Sequence, residues 1–159
     1  MNSAGKHAAD LHMREAEDGD YPRCAEIYND GWNFALPEQP RRIGLAEFLG
    51  ETSGEKIVVA LNQRTIVGYV SVWRPECFIH HLYVDPVEHG KGVGRLLLKR
   101  VFDFTSSGCV SLKCQKANQR ALGFYGKCGF QATGHGGADA FGEWLELARA
   151  ADTGRGACV

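Results

Sequence analysis

Residues 78–98, Phe78-Ile79-His80-His81-Leu82-Tyr83-Val84-Asp85-Pro86-Val87-Glu88-His89-Gly90-Lys91-Gly92-Val93-Gly94-Arg95-Leu96-Leu97-Leu98, read as a strand, a short turn, a glycine-rich loop and the start of a helix. The β-branched and aromatic run from Phe78 to Val84 predicts the strand. Asp85-Pro86 closes it, because proline has no N–H and a fixed φ. Gly90, Gly92 and Gly94 let the backbone turn tightly and approach a ligand closely. Val93, Leu96 and Leu97 open a helical pattern that runs to about Thr105. The free N–H groups and dipole at such a helix start suit an anion such as a pyrophosphate. Lys91 and Arg95 add positive charge at the same place. The spacing fits neither a Walker A loop, since Gly92 follows Lys91, nor the G-x-G-x-x-G dinucleotide fingerprint. A glycine-rich turn that binds nothing remains open from this stretch alone.

The 159 residues suffice for one domain that buries about two-thirds of its unfolded surface. With 44% hydrophobic and 23% charged residues, the chain has the make-up of a soluble globular protein. The net charge of −1 and pI near 6.6 supply no basic field for nucleic acid or an anionic membrane. No apolar run approaches the roughly 20 residues that span a bilayer. Residues 1–10 lack the apolar core of a secretory signal and are expected to be a disordered tail. The six cysteines (Cys24, Cys77, Cys109, Cys114, Cys128 and Cys158) include no C-x-x-C pair. They read as reduced, mostly buried thiols of a cytoplasmic protein. No metal is expected: the histidines lack zinc-like spacing, and His80 and His81, adjacent on a strand, should point to opposite faces.

Along the chain, Leu11 to Ala16 reads as a first strand. Asp20 is placed to cap a helix beginning Tyr21-Pro22, whose apolar face is Cys24, Ile27, Tyr28 and Gly31. Trp32 to Pro37 reads as an aromatic loop, and residues 44–51 as a second helix. Ile57–Leu61 and Thr65–Trp73 form a hairpin, joined by the 78–84 strand. After the helix from Val93, Val110–Cys114 is a short strand, and Asn118 begins a helix carrying Ala121, Leu122, Phe124 and Tyr125. Gln131–Thr133 starts another strand, His135–Gly142 is a flexible connector, and Trp144–Ala148 returns. The order β-α-α-β-β-β-α-β-α-β-β predicts an α+β fold: a mixed, largely antiparallel central sheet with helices on both faces. The domain spans 11–149, with a C-terminal tail at 150–159.

This combination resembles the GNAT superfamily of N-acetyltransferases, over most of the stretch from Leu11 to Arg149. His89-Gly90-Lys91-Gly92-Val93-Gly94 matches the family's [Q/R]-x-x-G-x-[G/A], with histidine where Gln or Arg is usual. Asn118, Ala121, Phe124, Tyr125, Gly129 and Phe130 match N-x-x-A-x-x-F-Y-x-x-x-G-F. The resemblance implies acetyl-coenzyme A as donor. Its pyrophosphate would lie on the loop of His89, Gly90, Lys91, Gly92, Val93, Gly94 and Arg95. Its pantetheine would lie between the 78–84 and 110–114 strands, against backbone of Leu82, Tyr83 and Val84, with Asn118 holding the arm. The loop acts mainly through backbone N–H groups, so the histidine should leave binding intact.

Acetyl transfer to an amine requires a neutral amine, a polarised thioester carbonyl and a protonated leaving thiolate. Tyr125 lies about two helical turns beyond Asn118, so the two project to nearly the same side. The resemblance makes Tyr125 the acid for the coenzyme A sulfur. For the base, His80 is expected on the strand face of Leu82 and Val84, and free histidine titrates at about 6.5. Glu76, His81 and a water-relayed base are alternatives. Trp32, Phe34, Trp73 and Phe141 are candidates to line an acceptor pocket, because loops carry specificity on a rigid scaffold.

The expected activity is acetyl transfer from acetyl-coenzyme A to a primary amine, of a small molecule or a peptide, by direct attack in a ternary complex. The alternative is a non-catalytic acyl-coenzyme A-sensing module. A homodimer is one candidate assembly, since dimers are common in the family resembled, and no nucleic-acid or membrane partner is expected.

Overall fold

The computed structural model describes residues 10–105 and 108–150. In chain order the elements are β1 (Leu11–Glu15), α1 (Tyr21–Ala35), α2 (Leu45–Glu51), β2 (Lys56–Asn62), β3 (Thr65–Trp73) and β4 (Phe78–Val84). There follow α3 (Val93–Phe104), β5 (Cys109–Gln115), α4 (Gln119–Lys127), β6 (Gln131–Asp139) and β7 (Gly142–Ala150). The seven strands form one sheet in the order β1-β2-β3-β4-β5-β7-β6. Every neighbouring pair is antiparallel except β4 and β5. The element order is the one the sequence predicts.

Both faces of the central strands are covered, so β2 reads Ile57-Val58-Val59-Ala60-Leu61 without a polar residue. Period-two alternation divides this run. Val58 and Ala60 pack with Leu97, Val101, Leu112 and Tyr125 on the side of α3 and α4. Ile57, Val59 and Leu61 pack with Ile27, Tyr28, Phe48 and Tyr69 on the side of α1 and α2.

Four expectations need correction. Residues 32–35 continue α1 instead of forming a loop. The apolar spacing Tyr28, Gly31, Trp32 carries on, and Tyr28 and Trp32 stack one turn apart, ring centroids 6.0 Å. At Gly31 a Cβ would stand 2.8 Å from Tyr83 Cδ1, so glycine is what lets the helix lie this close to β4. Residues 135–139 are strand, not connector. A Cβ at Gly136 would meet Trp144 O at 2.6 Å and one at Gly137 the Trp144 ring at 2.9 Å, so these glycines permit close pairing across a register shift. Asp20 stands at the N-cap of α1, but its side chain makes no capping bond to the helix. Its carboxylate accepts from Arg14 (2.6 Å) and from the Glu17 N–H (2.8 Å). Cys24, Cys77, Cys114 and Cys128 are buried thiols, but Cys109 is disulfide-bonded, against the expectation of reduced thiols.

Candidate active site

β4 and β5 pair only at Phe78 with Ser111 and Ile79 with Leu112, then diverge. The Asp85 N–H bonds Val67 O on the β3 side (2.9 Å). In an alternating strand this turns the backbone polar groups of Leu82 and Val84 toward the open side. The divergence leaves two cavities that share a wall.

The first, about 640 Å³, lies between β4 and the start of α3. Gly90 (φ +79) and Gly92 (φ +87) adopt the left-handed backbone that favours glycine, and Gly92 is the N-cap of α3. No side chain caps the helix, so its first N–H groups are left for a ligand. A Cβ at Gly94 would meet Phe124 at 3.1 Å, so this glycine sets the approach of α3 to α4. Leu82, Tyr83, Val84, His89, Gly90, Gly92, Val93, Gly94, Arg95 and Asn118 all line this cavity. Lys91 does not, its Nζ being turned onto Glu88 at 3.0 Å. His89 Nε2 donates to Val84 O (3.1 Å), tying the loop to the strand end, and its buried Nδ1 has no partner among the described residues. Burial, with Arg120 nearby, lowers its pKa, so it is a neutral donor here and not a cation for phosphate. Sequence reasoning missed Arg120 and Lys127, which also line the cavity from α4. A cation two residues after Asn118, on the helix facing the glycine loop, was the available signal for Arg120.

The second cavity, about 560 Å³, lies on the other side of the divergence, against α1 and the α1–α2 loop. Tyr28, Trp32 and Phe141 give it aromatic walls, and Arg41, Glu51 and His80 give it polar ones. The Arg41 guanidinium lies 5.4, 5.6 and 5.1 Å from the ring centres of Tyr28, Trp32 and Phe141. It bonds Tyr28 Oη and, at 2.5 Å, Glu51 Oε1. Sequence reasoning gave Arg41 and Glu51 no role, because only the packing of α1 on α2 brings them together. Of the candidate acceptor residues, Trp32 and Phe141 line this cavity. Phe34 lies instead in the first one, under the Arg120 guanidinium and against His89. Trp73 lines neither cavity; it is 40% exposed at the end of β3. Glu76, in the turn before β4, also lines neither.

Tyr125, Asn118, Leu82 and Tyr83 belong to both cavities. Asn118 caps α4, its Oδ1 accepting the Ala121 N–H at 3.1 Å, which leaves Nδ2 without a partner among the described residues. Burial raises the Tyr125 pKa well above that of a free phenol, with the neighbouring Cys114 and Cys128 adding to the effect. The phenol therefore keeps its proton at neutral pH.

The strand that should carry the base is bulged. Val72 pairs with Ile79 but Ser71 pairs with His81, so β4 has one extra residue, His80. The expected alternation fails there. The rings of His80 and His81 lie side by side, centroids 4.3 Å apart, not on opposite faces. His80 is turned toward Glu55, its Nδ1 at 2.8 Å from Oε1, and away from the face that Leu82 and Val84 share. His81 is buried between Tyr28, Phe48 and Tyr69. Its Nδ1 is 3.0 Å from Tyr69 Oη, its Nε2 faces Glu51 at 3.6 Å, and burial lowers its pKa.

The sheet thus splits beside a glycine-rich helix start, and a tyrosine stands where the two cavities meet. Residues 21–130 match the acetyltransferase (GNAT) family. The N-alpha-acetyltransferase RimI of Mycobacterium tuberculosis is 32% identical over 127 residues, covering 72% of this chain and 75% of the relative. The L-amino acid N-acyltransferase MnaT of Escherichia coli is 30% identical over 158 residues, covering 86% and 90%. The crystal structure of a GCN5-related N-acetyltransferase from Rhodopseudomonas palustris shares the fold with a TM-score of 0.73 at 19% identity, covering 87% of this chain and 94% of that one. The chain belongs to the GNAT family and is an N-acetyltransferase. Among the described residues no helix is long and apolar enough to cross a membrane.

Proposed function

We propose that the protein transfers an acetyl group from acetyl-coenzyme A to a primary amine of a small molecule or peptide, in a ternary complex. The observation that supports this most directly is the meeting of the two cavities at Leu82, Tyr83, Asn118 and Tyr125. The donor takes the first cavity. Its diphosphate sits on the N–H groups from Gly92 to Arg95, with Arg95 and Arg120 beside it, and its pantetheine runs along the open edge of Leu82 and Val84. The acceptor enters the second cavity, its apolar part against Trp32 and Phe141.

The proton balance assigns the roles. His80 takes one proton from the acceptor ammonium and passes it to water. The amine attacks the thioester carbon, forming the C–N bond, and the C–S bond then breaks. Tyr125 gives its proton to the leaving sulfur and recovers one from the new amide nitrogen. The products are the N-acetyl amine and coenzyme A thiol.

The test is thiol release from acetyl-coenzyme A across amines, polyamines, aminoglycosides and peptides, beside a thermal shift with donor alone. Donor at about 100 times Kd adds about 2.7 kcal/mol, enough for a visible shift. A shift with release for one acceptor class is the expected result. A shift without release from any class favours a non-catalytic binder, and no shift overturns the donor assignment.

A further inference from the structure

The β4 bulge has a partner outside the strand. Glu55 follows the turn at Gly54 (φ +78), and that glycine lets the chain fold back so that Glu55 N–H bonds Thr52 O at 3.0 Å. The Glu55 side chain is only 8% exposed. One oxygen faces His80 Nδ1 at 2.8 Å, and the other accepts from the Oγ of Ser71, which is fully buried on β3. Burial opposes ionisation of Glu55, but the bonds from His80 and Ser71 outweigh it and hold the carboxyl below its ordinary range.

An ionised carboxylate only accepts, so the hydrogen between the two groups belongs to His80 Nδ1. That fixes the tautomer and leaves the Nε2 lone pair without a protein partner among the described residues, on a side chain that lines the acceptor cavity. His81 is arranged oppositely. Its Nδ1 lies against Tyr69 Oη and its Nε2 toward Glu51, so neither nitrogen is free to receive a proton. The other charged groups around the cavity are paired among themselves: Arg41 with Glu51, and Lys113 with Asp139 at 2.6 Å. Glu55, which stands behind the His80 part of this wall, is thus a carboxylate whose ion-pair partner is a histidine and not a permanent cation.

We propose that Glu55 is a positioning residue that forms a dyad with His80, aiming Nε2 at the acceptor amine and balancing the imidazolium formed there. This rests on the acetyl-transfer reading above. In the step itself an N–H bond of the acceptor ammonium breaks, its proton joins His80 Nε2, and Glu55 keeps the Nδ1 hydrogen bond throughout. The imidazolium then releases the proton to water.

Two readouts test it. Nitrogen-15 NMR of the imidazoles in the intact protein should show His80 as the Nδ1–H tautomer, and Glu55→Ala should abolish that preference. In E55Q, which keeps the shape but loses the charge, the acidic limb of the kcat/KM profile should move down by about one pH unit. Donor affinity and melting temperature at neutral pH serve as controls for folding in both variants. An Nε2–H tautomer in the wild type, or an unmoved limb in a folded E55Q, overturns the dyad. An Nδ1–H tautomer with no thiol release from any amine overturns the acetyl-transfer reading, and with it the catalytic role of the pair, while the hydrogen bond itself stands.

Discussion

Asn33, near the end of α1, holds both backbone polar groups of Arg41: Nδ2 donates to Arg41 O at 2.7 Å and Oδ1 accepts the Arg41 N–H at 2.8 Å. One turn earlier Asn29 does the same to Ile43, at 2.9 and 2.8 Å. The α1–α2 loop is thereby strapped to the helix, and the Arg41 guanidinium is held against three aromatic rings in the wall of the second cavity. Replacing Asn33 with alanine leaves these loop groups without partners, at about 1–3 kcal/mol for each that stays buried. The expected result is a lower melting temperature and a higher KM for the acceptor with the KM for donor unchanged. Steady-state kinetics with each substrate varied in turn checks this; an unchanged acceptor KM removes the loop from recognition.

Tyr125→Phe keeps the ring packed against Phe124 and Phe130 but removes the hydroxyl. Turnover should fall about ten- to ten-thousand-fold, on the scale of acid–base groups, while donor affinity holds. Thiol-release rates at saturating donor, beside a donor titration, measure both. Undiminished turnover would take Tyr125 out of the chemistry.

Gly92→Val places a β-branched residue at φ +87 at the head of α3. A Cβ there meets nothing within 4 Å, so the cost is backbone strain and not a clash. Relief of that strain should rotate the first N–H groups of α3 away from the cavity. Donor binding is expected to suffer first, seen as loss of the donor-induced thermal shift in a protein that still melts cooperatively. A retained shift would put the diphosphate elsewhere.

Acid should weaken the α1–α2 side of the fold. His81, 3.6 Å away, followed by the bonded Arg41, holds the Glu51 carboxyl at about 2 in spite of burial, against an ordinary 4.5. A depressed folded value means stability that is present above pH 4.5 and lost as pH falls toward 2. Burial also holds His81 below its ordinary 6.5, so the unfolded chain takes up that proton first as pH falls, with the same sign. Melting temperature against pH should therefore fall from about 6.5 downward. In Glu51→Gln the part below about 4.5 should flatten; an unchanged slope there would show that Glu51 is not a source of the acid sensitivity.

The glycine loop and the N-x-x-A-x-x-F-Y segment were legible because their requirements are local. A left-handed backbone at Gly90 and Gly92, a cap at Asn118 and a tyrosine two turns later depend on residues within one or two elements. The acceptor side was not legible in the same way. Phe34 and Trp73 looked like pocket residues because they are aromatic, yet one lines the cavity at the start of α3 and the other lies outside both. Residues 135–139 looked like a connector because they are rich in glycine, and only the approach of β7 makes them a strand.

The base shows the same division at a single position. Period-two alternation put His80 on the face of Leu82 and Val84, and the rule holds on either side of it. What breaks it is a bulge against β3, a property of the pairing of two strands and not of either one. The sequence by itself determined the order of elements, the helix start that suits an anion and the tyrosine beside it, since short-range periodicity and backbone preference specify those. Tertiary structure alone decided which side His80 faces, that Glu55 is its partner, and that Arg41 meets Tyr28, Trp32 and Phe141. These contacts join residues from separate elements, and nothing in their local sequence records the packing that brings them within reach.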